Sequence, residues 1–199
     1  MRLDELKGLM KNCGIAGAGG AGFPGYAKLN DKADTVILNC AECEPLFRLH
    51  RQLLRRYSYE IISTLDVIRE SLGAEHFYVA LKKGYASTAE AVERDIAAFE
   101  HGEVKYLKEV YPAGDEIILI NDTTGRVVPA GGLPIDVKVI VYNVETILNT
   151  YRALHGECVT HKYVTVGGAV KNPQTYCVPL GTPLSYLVEL AGGATEDDT

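Results

Sequence analysis

A glycine-rich segment near the start of the chain combines residue types that could hold a phosphate or a flat ring. Residues 14–44 contain six glycines, a short apolar run and two closely spaced glutamates. The most tightly clustered glycines are Gly17, Gly19, Gly20 and Gly22. Because glycine has no Cβ, a backbone built from it can take positive φ and present its N–H groups directly to a ligand. We therefore predict that this loop binds a nucleotide or a flavin.

The loop also matches the dinucleotide-binding pattern, but its surroundings disagree with that interpretation. Three of the glycines fit G-x-G-x-x-G, and Glu42 lies twenty residues beyond the last of them. That pattern requires a strand directly before the glycines. Residues 2–12 instead place leucines three positions apart, which is typical of a helix. A dinucleotide-binding dehydrogenase and a purely structural turn therefore remain the alternatives.

Three later segments contain residue types that could complete the site. Asp115 and Glu116 follow Gly114 in a turn, where their carboxylates could bond ligand hydroxyls; a solvated turn before a helix is the alternative. Residues 127–134 form a rigid loop with a glycine pair, which could equally be a connector. Asn143 precedes a predicted helix, so it could cap that helix or face a phosphate.

The elements between these segments alternate between strands and helices. The hydrophobic pattern predicts strands at 35–39, 76–82, 104–111 and 137–142, and helices at 46–72, 86–99 and 144–154. Residues 117–121 fit either type. Strands followed by crossover helices predict an α/β fold with a mostly parallel sheet covered on both faces, and open sheets of this kind bind ligands at their strand ends.

Composition restricts the class of protein further. The chain has 199 residues, five cysteines and a formal net charge of −6. Its acidic balance, without a basic stripe, argues against nucleic acid as a partner. The cysteines lack the spacing of a disulfide framework, and neither a secretory signal nor a membrane-spanning run is visible, so we expect a cytoplasmic location.

The residue pattern changes in the last part of the chain, and the new pattern predicts a second, smaller unit. Residues 162–166 alternate, two turns follow, and residues 183–191 fit a helix. A hairpin followed by a helix is the opening half of a β-grasp domain, which needs further strands to close its sheet. We predict a first domain at 1–157 and the start of a β-grasp domain at 158–199, either truncated or dependent on a partner.

Five ordered motifs together resemble a known protein family. They read GAGGAGFPGYAKL, NCAECEP, YPAGDE, GRVVPAGGLP and NVETILN, between Gly14 and about Leu154. They resemble the flavin-bearing NADH-dehydrogenase subunit of respiratory complex I and its relatives: the Rnf-C proteins of the Rnf complex, the cobalamin reductases and the Rnf-C-like proteins associated with proline reductase. Residues 162–189 resemble the SLBB-like β-grasp domain that follows in these proteins.

The resemblance implies FMN held against the glycine loop, with NAD(H) stacking on the exposed face of its ring. The cofactor-binding residues that it implies are Gly17, Gly19, Gly20, Gly22, Phe23, Lys28, Asn39, Glu42, Glu44, Gly114, Asp115, Glu116, Asn143 and Thr146. Within this set, the two glutamates of NCAECEP lie beside the nucleotide pocket and the last two residues close on the FMN phosphate. Hydride transfer to a flavin requires no side-chain acid or base, so no catalytic residue is expected.

The chain departs from the complex I pattern at the flavin. Ala18 and Ala41 stand where complex I proteins carry an arginine and an aspartate. Those proteins also carry an aromatic residue that stacks on adenine near the position of Asn30. Phe23 is the remaining candidate for that stacking. These differences, and the short segment before the glycine loop, indicate the Rnf-C branch and within it the cobalamin-reductase or proline-reductase type.

The route by which electrons leave is not visible in the sequence. Family members bind iron–sulfur clusters with Cys-x-x-Cys-x-x-Cys runs, and this sequence has none. Cys40 and Cys43 supply only half of a four-ligand site, so we expect them to pack beside the loop and expect no metal site. The clusters, or a partner reductase, are therefore expected outside this chain.

Two functional hypotheses follow. The first is an electron-transfer flavoprotein module that oxidises NADH through FMN and serves an Rnf-type complex, which would place it at the membrane periphery, or a cobalamin or proline reductase system; the full set of motifs supports it. The second is a non-catalytic nucleotide-binding or assembly module. Ala18, Ala41 and the missing clusters support that alternative.

Overall fold

A four-stranded parallel sheet forms the centre of the structure. The computed structural model describes residues 1–195; residues 196–199, the end of the predicted second unit, lie outside the described residues. The strands are β1 (Thr35–Cys40), β2 (His76–Lys82), β3 (Gly102–Leu107) and β4 (Val139–Asn143), in the order β3-β2-β1-β4. Every neighbouring pair is parallel. The predicted α/β fold with a mostly parallel sheet is confirmed.

Helices connect these strands and precede them. In chain order they are α1 (Leu3–Asn12), α2 (Gly25–Lys28), α3 (Leu49–Arg56), α4 (Ser58–Leu72), α5 (Ala86–Ile96), α6 (Glu116–Thr124) and α7 (Val144–Leu154). A 3-10 turn, Pro134–Val137, leads into β4. Among the described residues, no helix is both long and apolar enough to cross a membrane.

Both faces of the sheet are covered by a core. Successive strand residues point to opposite faces, so they enter the two cores in turn. On β1, Val36 and Leu38 belong to one core, whereas Ile37 belongs to the other. The first core is filled by α1, α3, α4, α5 and α7, and the second by α6. The near-continuous apolar runs of β1 and β4 follow from burial on both faces.

The predicted helix over residues 46–72 is two helices, and this part of the prediction was wrong. Tyr57 has φ −124° and ψ 38°, which ends α3 before α4 begins. Both helices turn buried apolar side chains, such as Leu53 and Ile61, toward the same core. The hydrophobic period therefore continues across the break and cannot reveal it.

The remaining differences lie at element ends. Residues 117–121 belong to α6, because the Asp115 carboxylate accepts the N–H groups of Ile117 (3.0 Å) and Ile118 (3.2 Å) and caps the helix. The strand predicted at 104–111 ends at residue 107, and the one predicted from residue 137 begins at 139 after the 3-10 turn.

A small antiparallel unit follows the main sheet. Strands β5 (His161–Val166) and β6 (Gln174–Pro179) pair as a hairpin, and α8 (Leu184–Leu190) comes after them. The unit contacts the first one directly, because the Val159 N–H donates to the carbonyl of Cys13 (3.0 Å) and Tyr163 packs against the first core. The predicted hairpin and helix are confirmed.

Gly102 lies where no side chain fits, and this gives a test of the sheet packing. A Cβ there would overlap Cζ of the buried Phe77 and lie 2.8 Å from its Cε2. We expect Gly102→Ala to lower the free energy of unfolding in urea by about 1–3 kcal/mol, because overpacking forces the core to shift. Gly8→Ala, inside α1 with open space at its Cβ, is the control and should be neutral or stabilising. Equal effects of the two changes would contradict the packing.

Candidate functional site

A cavity of about 500 Å³ lies between the glycine loop, strand β4 and the 3-10 turn. The predicted site residues that line it are Gly17, Gly19, Gly20, Gly22, Phe23, Lys28, Asn39, Glu116, Asn143 and Thr146. Leu133 and Pro134 from the predicted loop 127–134 line it too. Its volume is in the range of small-molecule sites. Most of the predicted residues are thus brought together around one space.

The strand order explains the position of this cavity. The chain turns from β1 toward β2 and β3 on one side and later places β4 on the other side of β1. Asn39 and Asn143 are directly opposite in the β1–β4 register, at the carboxyl ends of both strands. Ligands of open α/β sheets bind at such switch points. The cavity starts there and extends along the whole of β4, which is an edge strand.

A hydrogen-bonded junction at the start of α7 positions the glycine loop. Oδ1 of Asn143 caps the helix by accepting the N–H of Thr146 (2.8 Å), and it also accepts the Thr146 hydroxyl (2.7 Å). That hydroxyl oxygen accepts the N–H of Ala18 (3.0 Å). The predicted cap at Asn143 is present, and it joins the loop to the helix.

The loop leaves several donors free. Gly17 closes its base by donating to the carbonyl of Phe23 (2.8 Å). The N–H groups of the residues between them, from Gly19 to Gly22, make no hydrogen bond within residues 1–195. A Cβ at Gly19 would overlap Nδ2 of Asn143, so only glycine allows this approach. Unpaired N–H groups beside a helix N-terminus suit a phosphate.

Lys28 reaches the cavity with its charge already paired. Its Nζ donates to Glu116 Oε1 (2.9 Å) and to the carbonyl of Val141 on the free edge of β4 (2.9 Å). The lysine side chain is 30% exposed and that of Glu116 40%. The sequence reasoning placed both residues at the site but not in contact. Their pairing leaves one positive and one negative group at the same point of the cavity wall.

The predicted acidic pair does not line the cavity. The Glu42 carboxylate is buried, and it accepts the backbone N–H of His50 (2.7 Å) and Nε of Arg51 (2.7 Å). Burial raises the pKa of Glu42, and these hydrogen bonds oppose the rise. Glu44 is exposed. The role of both glutamates at a nucleotide therefore stays a prediction.

Gly114 and Asp115 also lie outside the cavity wall. Asp115 caps α6, and the carbonyl of Gly114 accepts the Asn39 amide (2.9 Å). The Gly114 N–H donates to Sγ of Cys43 (3.2 Å), and a Cβ here would overlap the carbonyl oxygen of Ala41. This turn closes over the end of β1 and orients Asn39, which lines the cavity. Cys43 packs in this turn.

His50 is a neighbour of the loop that the sequence reasoning missed. Its Nε2 is buried without a hydrogen-bond partner among residues 1–195, and its Cε1 lies 3.2 Å from a Cβ placed on Gly19. Burial, and then the charge of Lys162, lower the pKa of His50 to about 4. The ring is therefore neutral at pH 7. No local pattern marks it, because its neighbours come from distant parts of the chain.

The donor set fits a phosphorylated, flat ligand: free N–H groups and the Asn143 amide at one end, and apolar strand residues with a lysine along the wall. Residues 10–152 match the family described as the Nuo51 FMN-binding domain. The chain belongs to this family. Residues 163–199 match the SLBB domain, so the resemblance predicted for both parts is confirmed.

Named relatives align with nearly the whole of this chain. Cobalamin reductase PduS of Citrobacter freundii is 40% identical over 190 residues, which are 95% of this chain and 42% of that protein. A component of the Na+-translocating ferredoxin:NAD+ oxidoreductase complex of Acetobacterium woodii is 34% identical over 203 residues, 99% of this chain and 46% of that one. The chain thus spans less than half the length of these relatives.

A solved structure shows the same fold. A chain of NAD+-reducing NiFe-hydrogenase in the H2-reduced state superimposes with a TM-score of 0.81 at 24% identity. The match covers 97% of this chain and 39% of that chain. At this identity the likeness concerns the fold, including the parallel sheet and the small unit after it.

His50, whose Nε2 is buried, gives the fold a pH-dependent stability. The pKa of His50 is about 4 when folded and about 6.5 when unfolded. The unfolded chain therefore binds more protons between these values, so this stability is complete above about pH 6.5 and is lost as the pH falls toward 4. We expect the wild type to lose up to about 3 kcal/mol more than His50→Gln over that range in urea titrations. His101→Gln, at an exposed histidine, should behave as wild type; parallel curves for wild type and His50→Gln would contradict the burial.

Proposed function

We propose that the chain binds FMN in this cavity and is the flavin-binding part of an NADH-oxidising electron-transfer protein. The observation that carries the proposal is the glycine loop, whose free N–H groups lie beside the capped start of α7. Family membership and the redox activities that the relatives are named for support it. The partner would be an iron–sulfur protein or domain, or a reductase, in the cytoplasm or at a membrane complex.

The residues divide the proposed ligand between them. The loop N–H groups and Nδ2 of Asn143 would hold the phosphate, since Nδ2 makes no hydrogen bond within residues 1–195 while Oδ1 caps the helix. Lys28 and the unpaired edge of β4 would face the polar side of the ring, because edge strands present free N–H and C=O groups. Phe23, 53% exposed beside the loop, is the aromatic residue available to adenine.

Bound FMN would supply the chemistry, because it accepts a hydride from NADH and releases electrons singly. The task of the chain is then to bind, orient and tune the ring. The paired charges of Lys28 and Glu116 offer a donor without a net positive charge at the cavity wall. We propose residues 1–157 as the flavin domain and residues 158–199 as the start of the β-grasp domain.

A second candidate function is supported by the position of Glu42. This carboxylate, assigned to the nucleotide pocket by the resemblance, is 1% exposed and paired with Arg51. If Glu42 stays paired with Arg51 and does not reach a nucleotide, the chain would hold a nucleotide without oxidising NADH. It would then act as an assembly module, in agreement with Ala18 and Ala41.

The Asn143→Asp change tests the phosphate site without removing the helix cap. Aspartate still accepts the Thr146 N–H, but it lacks the amide donor and adds a negative charge beside the phosphate. We expect FMN binding, followed by fluorescence quenching, to weaken at least tenfold while the urea midpoint stays near that of the wild type. Asn12→Asp makes the same change at the exposed end of α1 and is the control. Equal FMN affinity in Asn143→Asp and wild type would contradict this site.

Anaerobic addition of NADH to the FMN-loaded chain separates the two candidate functions. Bleaching of the flavin absorbance supports the electron-transfer module. Binding of FMN without bleaching supports the assembly module, because the phosphate end would then work without the nicotinamide end. Absence of FMN binding in the wild type would overturn the proposed cofactor.

A further inference from the structure

Lys162 links the second unit to the glycine loop of the first. This residue lies on β5, and its Nζ donates to the carbonyl of Ala18 at 3.0 Å. The same Nζ forms an ion pair with Glu145 on α7. The two units therefore meet at a charged hydrogen bond directly behind the cavity wall. The contact joins residues 144 positions apart.

This contact fixes the orientation of one peptide group. In a planar trans peptide the C=O and the following N–H point in opposite directions. Holding the carbonyl of Ala18 toward β5 therefore turns the N–H of Gly19 away from β5. That N–H makes no hydrogen bond within residues 1–195, and Gly19 lines the cavity. The Ala18 N–H donates to Thr146, and the Ala18 carbonyl accepts from Lys162. The two peptide groups that flank Ala18 are therefore both fixed.

Glu145 holds the lysine in place. Its side chain is 2% exposed, and Lys162 is its partner in the described part of the chain. A buried carboxylate without a partner is costly, so the pair is strongly favoured once the units are folded together. The Lys162 side chain is 35% exposed, so part of it lies at the surface of the small unit. The lysine is thus held at the loop rather than free to turn toward solvent.

We propose that Lys162 is a positioning residue of the flavin site, which makes the SLBB unit a structural component of that site and not only a docking module. The inference rests on the proposed FMN binding. It assigns to Lys162 the orientation of the Gly19 N–H toward the phosphate. It also implies that a partner that moves β5 changes flavin affinity.

The test compares four variants of the full chain by FMN titration and by amide hydrogen exchange. Lys162→Met removes the charge and the donor, and Lys162→Arg keeps both. Because Lys162→Met leaves Glu145 unpaired and buried, the double variant Lys162→Met/Glu145→Gln removes both charges together. Lys171→Met changes an exposed lysine of the same unit and is the control.

We expect Lys162→Met and the double variant to bind FMN about tenfold more weakly, the scale of one lost charged hydrogen bond. Lys162→Arg should restore binding to within a few-fold of wild type, and Lys171→Met should equal wild type. Exchange of the Ala18 amide should become faster in Lys162→Met, even without ligand. NMR titration should show a higher pKa for His50 in this variant, because Lys162 lowers it in the wild type.

The positioning role and the proposed function fail in different ways. If wild type binds FMN and the folded double variant binds it equally well, the positioning role is overturned and the proposed function stands. If wild type does not bind FMN, the proposed function fails, and the exchange rate of the Ala18 amide decides the inference. An unchanged rate in Lys162→Met and in the double variant would then overturn the role of Lys162 as well.

Discussion

Three hydrogen bonds at the start of α7 hold the candidate site together. Asn143 ends β4, caps α7 and accepts the hydroxyl of Thr146, which in turn accepts the N–H of Ala18. One strand, one helix and the glycine loop therefore share a single junction. Since β4 pairs directly with β1, the junction also fixes the loop relative to Asn39 on the opposite strand end.

Two lysines near this junction, Lys28 at the cavity wall and Lys162 behind it, are each held in an ion pair. Lys28 pairs with Glu116, and Lys162 pairs with Glu145, so neither cation is left partly buried without a partner. Each lysine also donates to a main-chain carbonyl, of Val141 or of Ala18. Desolvation offsets much of the attraction within such ion pairs, so they add little net stability. Their effect is to fix carbonyl directions on both sides of the cavity.

The fold and the glycine-loop part of the candidate site could be predicted from the sequence because both depend on local patterns. Strand periodicity, glycine clustering and the N-cap at Asn143 are visible in a few consecutive residues. The break at Tyr57 could not be predicted, because the helices on both sides bury their apolar side chains in the same core. His50 and Lys162 were missed for a related reason: their neighbours at the loop are distant in sequence, and no spacing rule connects them.

Glu42 differs from most of the residues that the resemblance implies, because it does not line the cavity. The sequence NCAECEP matches the family, yet the carboxylate turns toward Arg51 and the His50 N–H instead of the cavity. Presenting Glu42 to a nicotinamide nucleotide would require breaking both contacts and leaving Arg51 without its partner. The glycine loop is therefore held in place by hydrogen bonds already present, whereas a contact between Glu42 and a nucleotide would need a side-chain rearrangement.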